Sequence, residues 1–183
     1  MKIYVIRHGE TNWNKDGRLQ GRTDIELNEN GIKQAENARK LLKDYKIDLI
    51  VSSPLKRAMK TAQIINEEKN CPMILDKRIE ERGYGDIEGR IRKEITDEVI
   101  NSKQLDNYKI NKKYMGIEPI QDLCSRVWSL IDDLRKDYTD RNILLVTHGG
   151  TIRAIDGYFY GVDENGIIQN PGLKNCEIKE YEL

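Results

Sequence analysis

Three short apolar runs, KIYVI at 2–6, DLIVSS at 48–53 and RNILLVTH at 141–148, alternate with longer segments whose apolar residues recur at helical spacing. Runs of this length suit strands buried on both faces, and strands that alternate with helices suit a parallel sheet. Between 28 and 45, Ile32, Ala35, Ala38, Leu41, Leu42 and Tyr45 share one helical face. Leu55, Ala58, Ala62 and Ile65 make the stripe of a second helix, for which Ser53 reads as the N-cap and Pro54 as the first helical residue. A long helix is expected from 118 to about 138, with Ile120, Leu123, Cys124, Val127, Ile131 and Leu134 inward, and a further helix from 151 to 160. MIL at 73–75 reads as a third strand and NCEIKEYEL at 175–183 as an edge strand. The pattern predicts an α/β three-layer sandwich, with a mostly parallel central sheet and helices on both faces.

No repeat, low-complexity tract or linker interrupts the 183 residues, so a single domain spanning 1–183 is expected. Periodicity fades over about 86–117, which reads as a small lid or insertion. The 31 basic and 31 acidic side chains cancel, which argues against nucleic acid or a membrane surface as a partner. The apolar stretch after Met1 is too short for a signal-peptide core. Cys71, Cys124 and Cys176 are scattered and lack C-x-x-C spacing, so neither a disulfide framework nor a zinc site is indicated. A cytoplasmic location follows from these features.

Ligands of parallel sheets bind beyond the carboxyl ends of the strands. His8 follows the first strand, Ser52 to Arg57 follow the second, and His148 ends a later one; the chain has two histidines in all. Arg7, His8, Arg57 and His148 thus fall at one rim, beside helices that begin near Pro54 and Gly149. Helix N-termini favour anions, and guanidiniums offer paired donors to phosphate. A cation–anion pair at ~4 Å and an effective dielectric of ~20 amounts to roughly 4 kcal/mol before desolvation. A phosphate-sized dianion is the natural guest, without metal or other cofactor.

The residues also carry a family resemblance. RHGETNWN at 7–14 resembles the R-H-G-x-T-x-x-N signature of the histidine phosphatase superfamily, in its phosphoglycerate mutase-like branch. GRLQGRTDIELNENGIKQA, SSPLKRAMKTA, EERGYGDIEG and VTHGG resemble the blocks that follow it, in the same order. The resemblance implies that His8 is the nucleophile and is transiently phosphorylated. Arg7 and Arg57 disfavour its cationic form, and a protonated His148 would join them around the phosphoryl oxygens. Counting back from Gly85 makes Glu81 the acid and base, with Glu80 adjacent. Asn14, Gln20, Gly21, Thr23, Tyr84 and Gly149 match substrate-binding positions. Gln20 and Thr23 equally suit a polar loop that satisfies its own backbone, and Glu10 suits a residue that faces away or orders the loop.

The departures bear on activity. The Trp-Arg-Arg run with which phosphoglycerate mutases grip substrate is missing, and Gly149–Gly150 stands where those enzymes have Gly-Asn. Pro119 replaces a serine usual in phosphatase members, leaving Glu118 either to cap a helix or to meet substrate. Lys103, Lys109, Lys112, Lys113, Tyr108 and Tyr114 could form a lid that attracts a second anionic group, or a solvated segment. Arg82, Arg90 and Arg92 read as surface charges. The expected activity is metal-independent hydrolysis of a small phosphorylated metabolite. The alternatives are a mutase-type isomerase and a non-catalytic phosphate-binding module. A two-histidine metal site is disfavoured by the arginines and by the lack of thiolates or clustered carboxylates.

Overall fold

The computed structural model describes residues 1–95, 105–110 and 114–183. Five strands, β1 (Lys2–Arg7), β2 (Leu49–Ser52), β3 (Met73–Leu75), β4 (Ile143–Thr147) and β5 (Ile178–Glu182), form one sheet in the order β3-β2-β4-β1-β5. β3, β2, β4 and β1 are parallel, and β5 closes the edge antiparallel to β1.

The two faces of the sheet separate by strict alternation of side chains. Ile3, Val5, Leu49, Val51, Ile143 and Leu145 pack against α4 (Ile120–Asp137) and α5 (Gly149–Tyr160). Tyr4, Ile6, Ile50, Leu144 and Val146 pack against α2 (Glu29–Leu41) and α3 (Lys56–Lys69). This is the three-layer sandwich that the apolar runs imply. The sequence reading is correct for all five strands and for the α3 and α4 stripes. α4 starts two residues later than expected, after Pro119, and α5 starts two residues earlier, at Gly149.

Two local expectations fail for identifiable reasons. Ala35, Ala38 and Leu42 are buried, but Leu41 is 68% exposed, Ile32 lies outside, and Tyr45 falls beyond the helix, edge-on to Tyr4. α2 meets its neighbours through small residues: a Cβ on Gly9 would stand 2.4 Å from the Gly31 carbonyl oxygen. That close approach narrows the buried stripe to the positions of Gly31, Ala35, Ala38 and Leu42. Ser53, in turn, caps nothing. α3 begins at Lys56, whose N–H is held by Asp24 Oδ1 at 2.7 Å.

Beyond the main core, Leu19, Ile87, Ile95, Leu105 and Ile117 form a smaller apolar cluster within the irregular part of the chain. Tyr108 N donates to Gly166 O at 2.7 Å and Asn107 Nδ2 to Asn165 O at 2.8 Å, tying this region to the turn after α5. Lys103, Lys112 and Lys113 lie outside the described residues. No helix among the described residues is long and apolar enough to cross a membrane.

The α2 seam makes a direct prediction. Leu42→Ala should cost about 2–5 kcal/mol, and Leu41→Ala about 0.5 kcal/mol or less. Urea unfolding of the two variants checks it; equal losses would contradict the seam.

Candidate active site

The adjacency of β2, β4 and β1 brings their carboxyl ends together, so the residues after each strand meet without any long connection. His8 N donates to Thr147 O at 3.0 Å and Ser53 N to Val146 O at 3.0 Å, extending the sheet pairing into the site. The rings of His8 and His148 lie 5.1 Å apart, both buried.

His8 Nδ1 lies 2.7 Å from Gly9 O. A carbonyl only accepts, so Nδ1 carries the proton and the lone pair rests on Nε2. Burial, then the charges of Arg57 and Arg7, hold this imidazole well below its ordinary range. Gly9 N donates to Thr61 Oγ1 at 3.1 Å, which fixes the turn against α3. Gly9 is required here by the approach of α2.

His148 Nε2 lies 2.8 Å from Ser53 Oγ, which also accepts from Leu55 N at 3.3 Å. With the Ser53 hydroxyl donating to Nε2, the neutral ring carries its proton on Nδ1, which is buried without a partner. Burial first, then Arg57, His8 and Arg7, hold His148 well below its ordinary range. Burial and these charges favour the neutral ring of His148 in the free protein.

Arg57 is fully buried, with Nη1 donating to Thr23 O at 2.8 Å and Nη2 to Gly21 O at 2.7 Å. Arg7 Nη1 donates to Leu173 O at 2.8 Å. Neither forms an ion pair among the described residues, and the Nε of each is buried without a partner. Together with His148 Nδ1, these are three donors left over around His8.

A cavity of 350 Å³ opens beside them, lined by Arg7, His8, Asn14, Gln20, Gly21, Glu81, Tyr84 and Gly149 among others. Arg57 and His148 stand behind this lining. Thr23 does not line it: its hydroxyl donates to Glu88 Oε2 at 2.6 Å, and its contribution is the carbonyl that holds Arg57. Asn14 closes a capping box with Thr11, and Gln20 Oε1 accepts from Thr11 Oγ1 at 2.9 Å. Glu81 Oε1 accepts from Arg82 N and Gly150 N, both at 2.9 Å. Glu80 lies instead 3.8 Å from Arg22 Nε, outside the lining. A Cβ on Gly150 would stand 2.6 Å from Glu81 Oε1, so glycine is what lets its N–H reach the carboxylate. The Tyr84 phenol is pushed up to about 12 by burial and by the charge of Glu81. Glu10 Oε1 accepts from Asn28 Nδ2 at 2.9 Å, so it orders the loop.

Sequence reasoning missed part of the wall. Arg82 is no surface charge: it is 4% exposed, with Nη1 2.5 Å from Asp106 Oδ1 and Nη2 2.7 Å from Leu105 O. Arg153 pairs with the other oxygen of Asp106, and all three line the cavity. Arg92 is exposed yet also lines it, while Arg90 stays at the surface. Asn175 Nδ2 donates to His8 O at 2.8 Å. No local pattern marks Asp106 or Asn175, because their partners are distant in sequence. Glu118 meets Arg126 and Arg22 rather than the cavity.

The histidine phosphatase superfamily (branch 1) family model matches residues 3–183. An uncharacterized phosphatase, PhoE, of Bacillus subtilis is 35% identical over 181 residues, covering 97% of this chain and 89% of its own. The probable phosphoglycerate mutase GpmB of Escherichia coli is 31% identical, covering 100% of this chain and 85% of its own. Among solved structures, a mycobacterial glucosyl-3-phosphoglycerate phosphatase complexed with VO3 superposes with a TM-score of 0.86 at 28% identity, covering 98% of this chain and 90% of that one. A mutant phosphoserine phosphatase of Entamoeba histolytica in complex with phosphoserine superposes with a TM-score of 0.83 at 32% identity, covering 98% and 89%. The chain belongs to branch 1 of the histidine phosphatase superfamily.

Proposed function

We propose that this protein is a phosphatase that hydrolyses a small phosphorylated metabolite through a phosphohistidine on His8. One observation carries the reading. Three buried donors, Arg7 Nε, Arg57 Nε and His148 Nδ1, lack partners around a neutral imidazole. Buried donors without acceptors are rare, and three at one place suit a multiply charged acceptor such as a phosphoryl group.

The chemistry then runs in two steps. His8 Nε2 attacks phosphorus, the N–P bond forms, and the ester P–O bond breaks in line. The leaving oxygen takes a proton from Glu81. The Nδ1–H to Gly9 O bond holds the ring as it becomes cationic. Water then attacks the phosphohistidine, Glu81 removes a water proton, the N–P bond breaks, and inorganic phosphate leaves with His8 neutral again. Arg7, Arg57 and His148 act on the equatorial oxygens, where charge accumulates. The residues at about 86–117 serve as a lid, with Asp106 latched between Arg82 and Arg153. Phosphoserine and glucosyl-3-phosphoglycerate, named for structural relatives, are the first substrates to try, and the reaction runs without a metal.

The GpmB likeness favours a second reading, in which the phosphohistidine returns its phosphoryl group to a phosphoglycerate. Phosphate release and interconversion of 2- and 3-phosphoglycerate, measured side by side, separate the two. Release is expected; fast interconversion with little release would overturn the hydrolase reading. His8→Ala should lower turnover on the order of 10³-fold or more and abolish the acid-labile phosphoprotein. Retention of either would remove His8 from its role.

A pH dependence of stability follows from the same site. Both histidines titrate below their ordinary value of 6.5 when folded. The unfolded chain therefore binds more protons below about pH 6.5, and folding stability falls as pH drops, by up to about 2.7 kcal/mol per pH unit. Above that pH their contribution is constant. Urea unfolding between pH 5 and 8 should show this slope, and His148→Asn should halve it.

A further inference from the structure

The loop that carries Glu81 is organised around one ion pair which takes no part in the phosphoryl chemistry. Arg126, on α4, places all five of its N–H donors. Nε donates to Glu118 Oε1 at 2.7 Å and Nη2 to Glu118 Oε2 at 2.9 Å. Nη1 donates to Arg78 O at 2.7 Å and Glu80 O at 2.8 Å, and Nη2 also to Glu81 O at 3.1 Å. Glu118 in turn accepts from Gly83 N at 3.2 Å and from Arg22 Nη2 at 2.9 Å. The backbone on both sides of Glu81 is thus gathered onto a single guanidinium–carboxylate pair.

The pair is well shielded, with side-chain exposures of 17% for Arg126 and 12% for Glu118. Burial pushes the Glu118 carboxyl up, but hydrogen bonds and charge from Arg126, with the charge of Arg22, outweigh it and hold the group below the usual carboxylate range. The pair is therefore ionised at neutral pH. Its effect reaches the cavity at Glu81. Glu81 Oε1 is pinned between Arg82 N, within the loop, and Gly150 N, in the first turn of α5. A shift of the loop backbone breaks that bridge and moves the carboxyl relative to His8.

We propose that Arg126, through its ion pair with Glu118, is the positioning residue for Glu81, setting where the leaving oxygen receives its proton. The inference rests on the acid role given to Glu81 above. A displacement of about 1 Å in such a group can cost on the order of 10²-fold in rate. Lysine at 126 keeps the charge but has one nitrogen, so it cannot meet both Glu118 oxygens and three carbonyls at once.

The test uses leaving groups that differ in their need for a proton. kcat/KM covers the steps up to departure of the alcohol, so it is measured for phenyl phosphate, which needs the acid, and for 2,4-dinitrophenyl phosphate, which does not. Glu81→Gln and Arg126→Lys should both lose about tenfold more on phenyl phosphate than on the dinitrophenyl ester. The double variant should show no greater selectivity than Glu81→Gln alone. If Glu81→Gln is selective and Arg126→Lys loses equally on both esters, the positioning role is overturned while Glu81 keeps its own. If Glu81→Gln is itself unselective, the acid role falls and the inference with it. Should Arg126→Lys fail to fold by thermal unfolding, Glu118→Gln is read in the same way.

Discussion

Two guanidinium groups, the fully buried Arg57 and the half-buried Arg7, are held by backbone carbonyls instead of carboxylates, and the site is built around that fact. A carboxylate would neutralise them, and a solvated arginine would spend its charge on water. Held by Gly21, Thr23 and Leu173 oxygens, they keep their charge while their geometry is fixed. The cost of desolvation is large and is offset only in part by three neutral acceptors. What the arrangement gains is a standing positive potential at a place where both histidines are neutral. A multiply charged acceptor in the cavity would meet donors already aimed, with little reorganisation to complete.

The remaining architecture serves this arrangement. The parallel order β2-β4-β1 sets Ser53, His148 and His8 side by side. The loop between α1 (Asn12–Lys15) and α2 turns its carbonyls inward because the Thr23 hydroxyl and N–H are taken by Glu88. Gly9, Gly31 and Gly150 mark places where backbone approaches too closely for a side chain. On the far wall the arrangement differs: Arg126 is paired with the Glu118 carboxylate, and its remaining donors gather the backbone of Arg78, Glu80 and Glu81.

What could be read from the sequence depended on how local its cause was. The strands and the rim residues Arg7, His8, Arg57 and His148 were legible because each polar group directly follows an apolar run or opens a helix. Glu81 was legible through the family's EERGYG block, not through periodicity. Leu41 misled because the narrow seam of α2 is set by Gly9, far away in sequence. Ser53 misled because α3 begins only at Lys56, and the serine hydroxyl serves Leu55 N and a histidine 95 residues on. Arg82 resembled a surface charge because its acceptors, Asp106, Leu105 and Glu118, lie in an irregular segment that no pattern places.

The position of β1 has a consequence for how the protein is made. Its sheet neighbours are β4 and β5, drawn from 143–182, and its end is clasped by Leu173 and Asn175. β1, which carries His8 at its end, thus has no partner strand in the sheet until those later segments are made. Until then His8 belongs to an unpaired, solvated peptide with an ordinary imidazole and no guanidinium collar. A chain lacking 143–182 therefore carries His8 without its surroundings, and the site is assembled only when two segments far apart in sequence close.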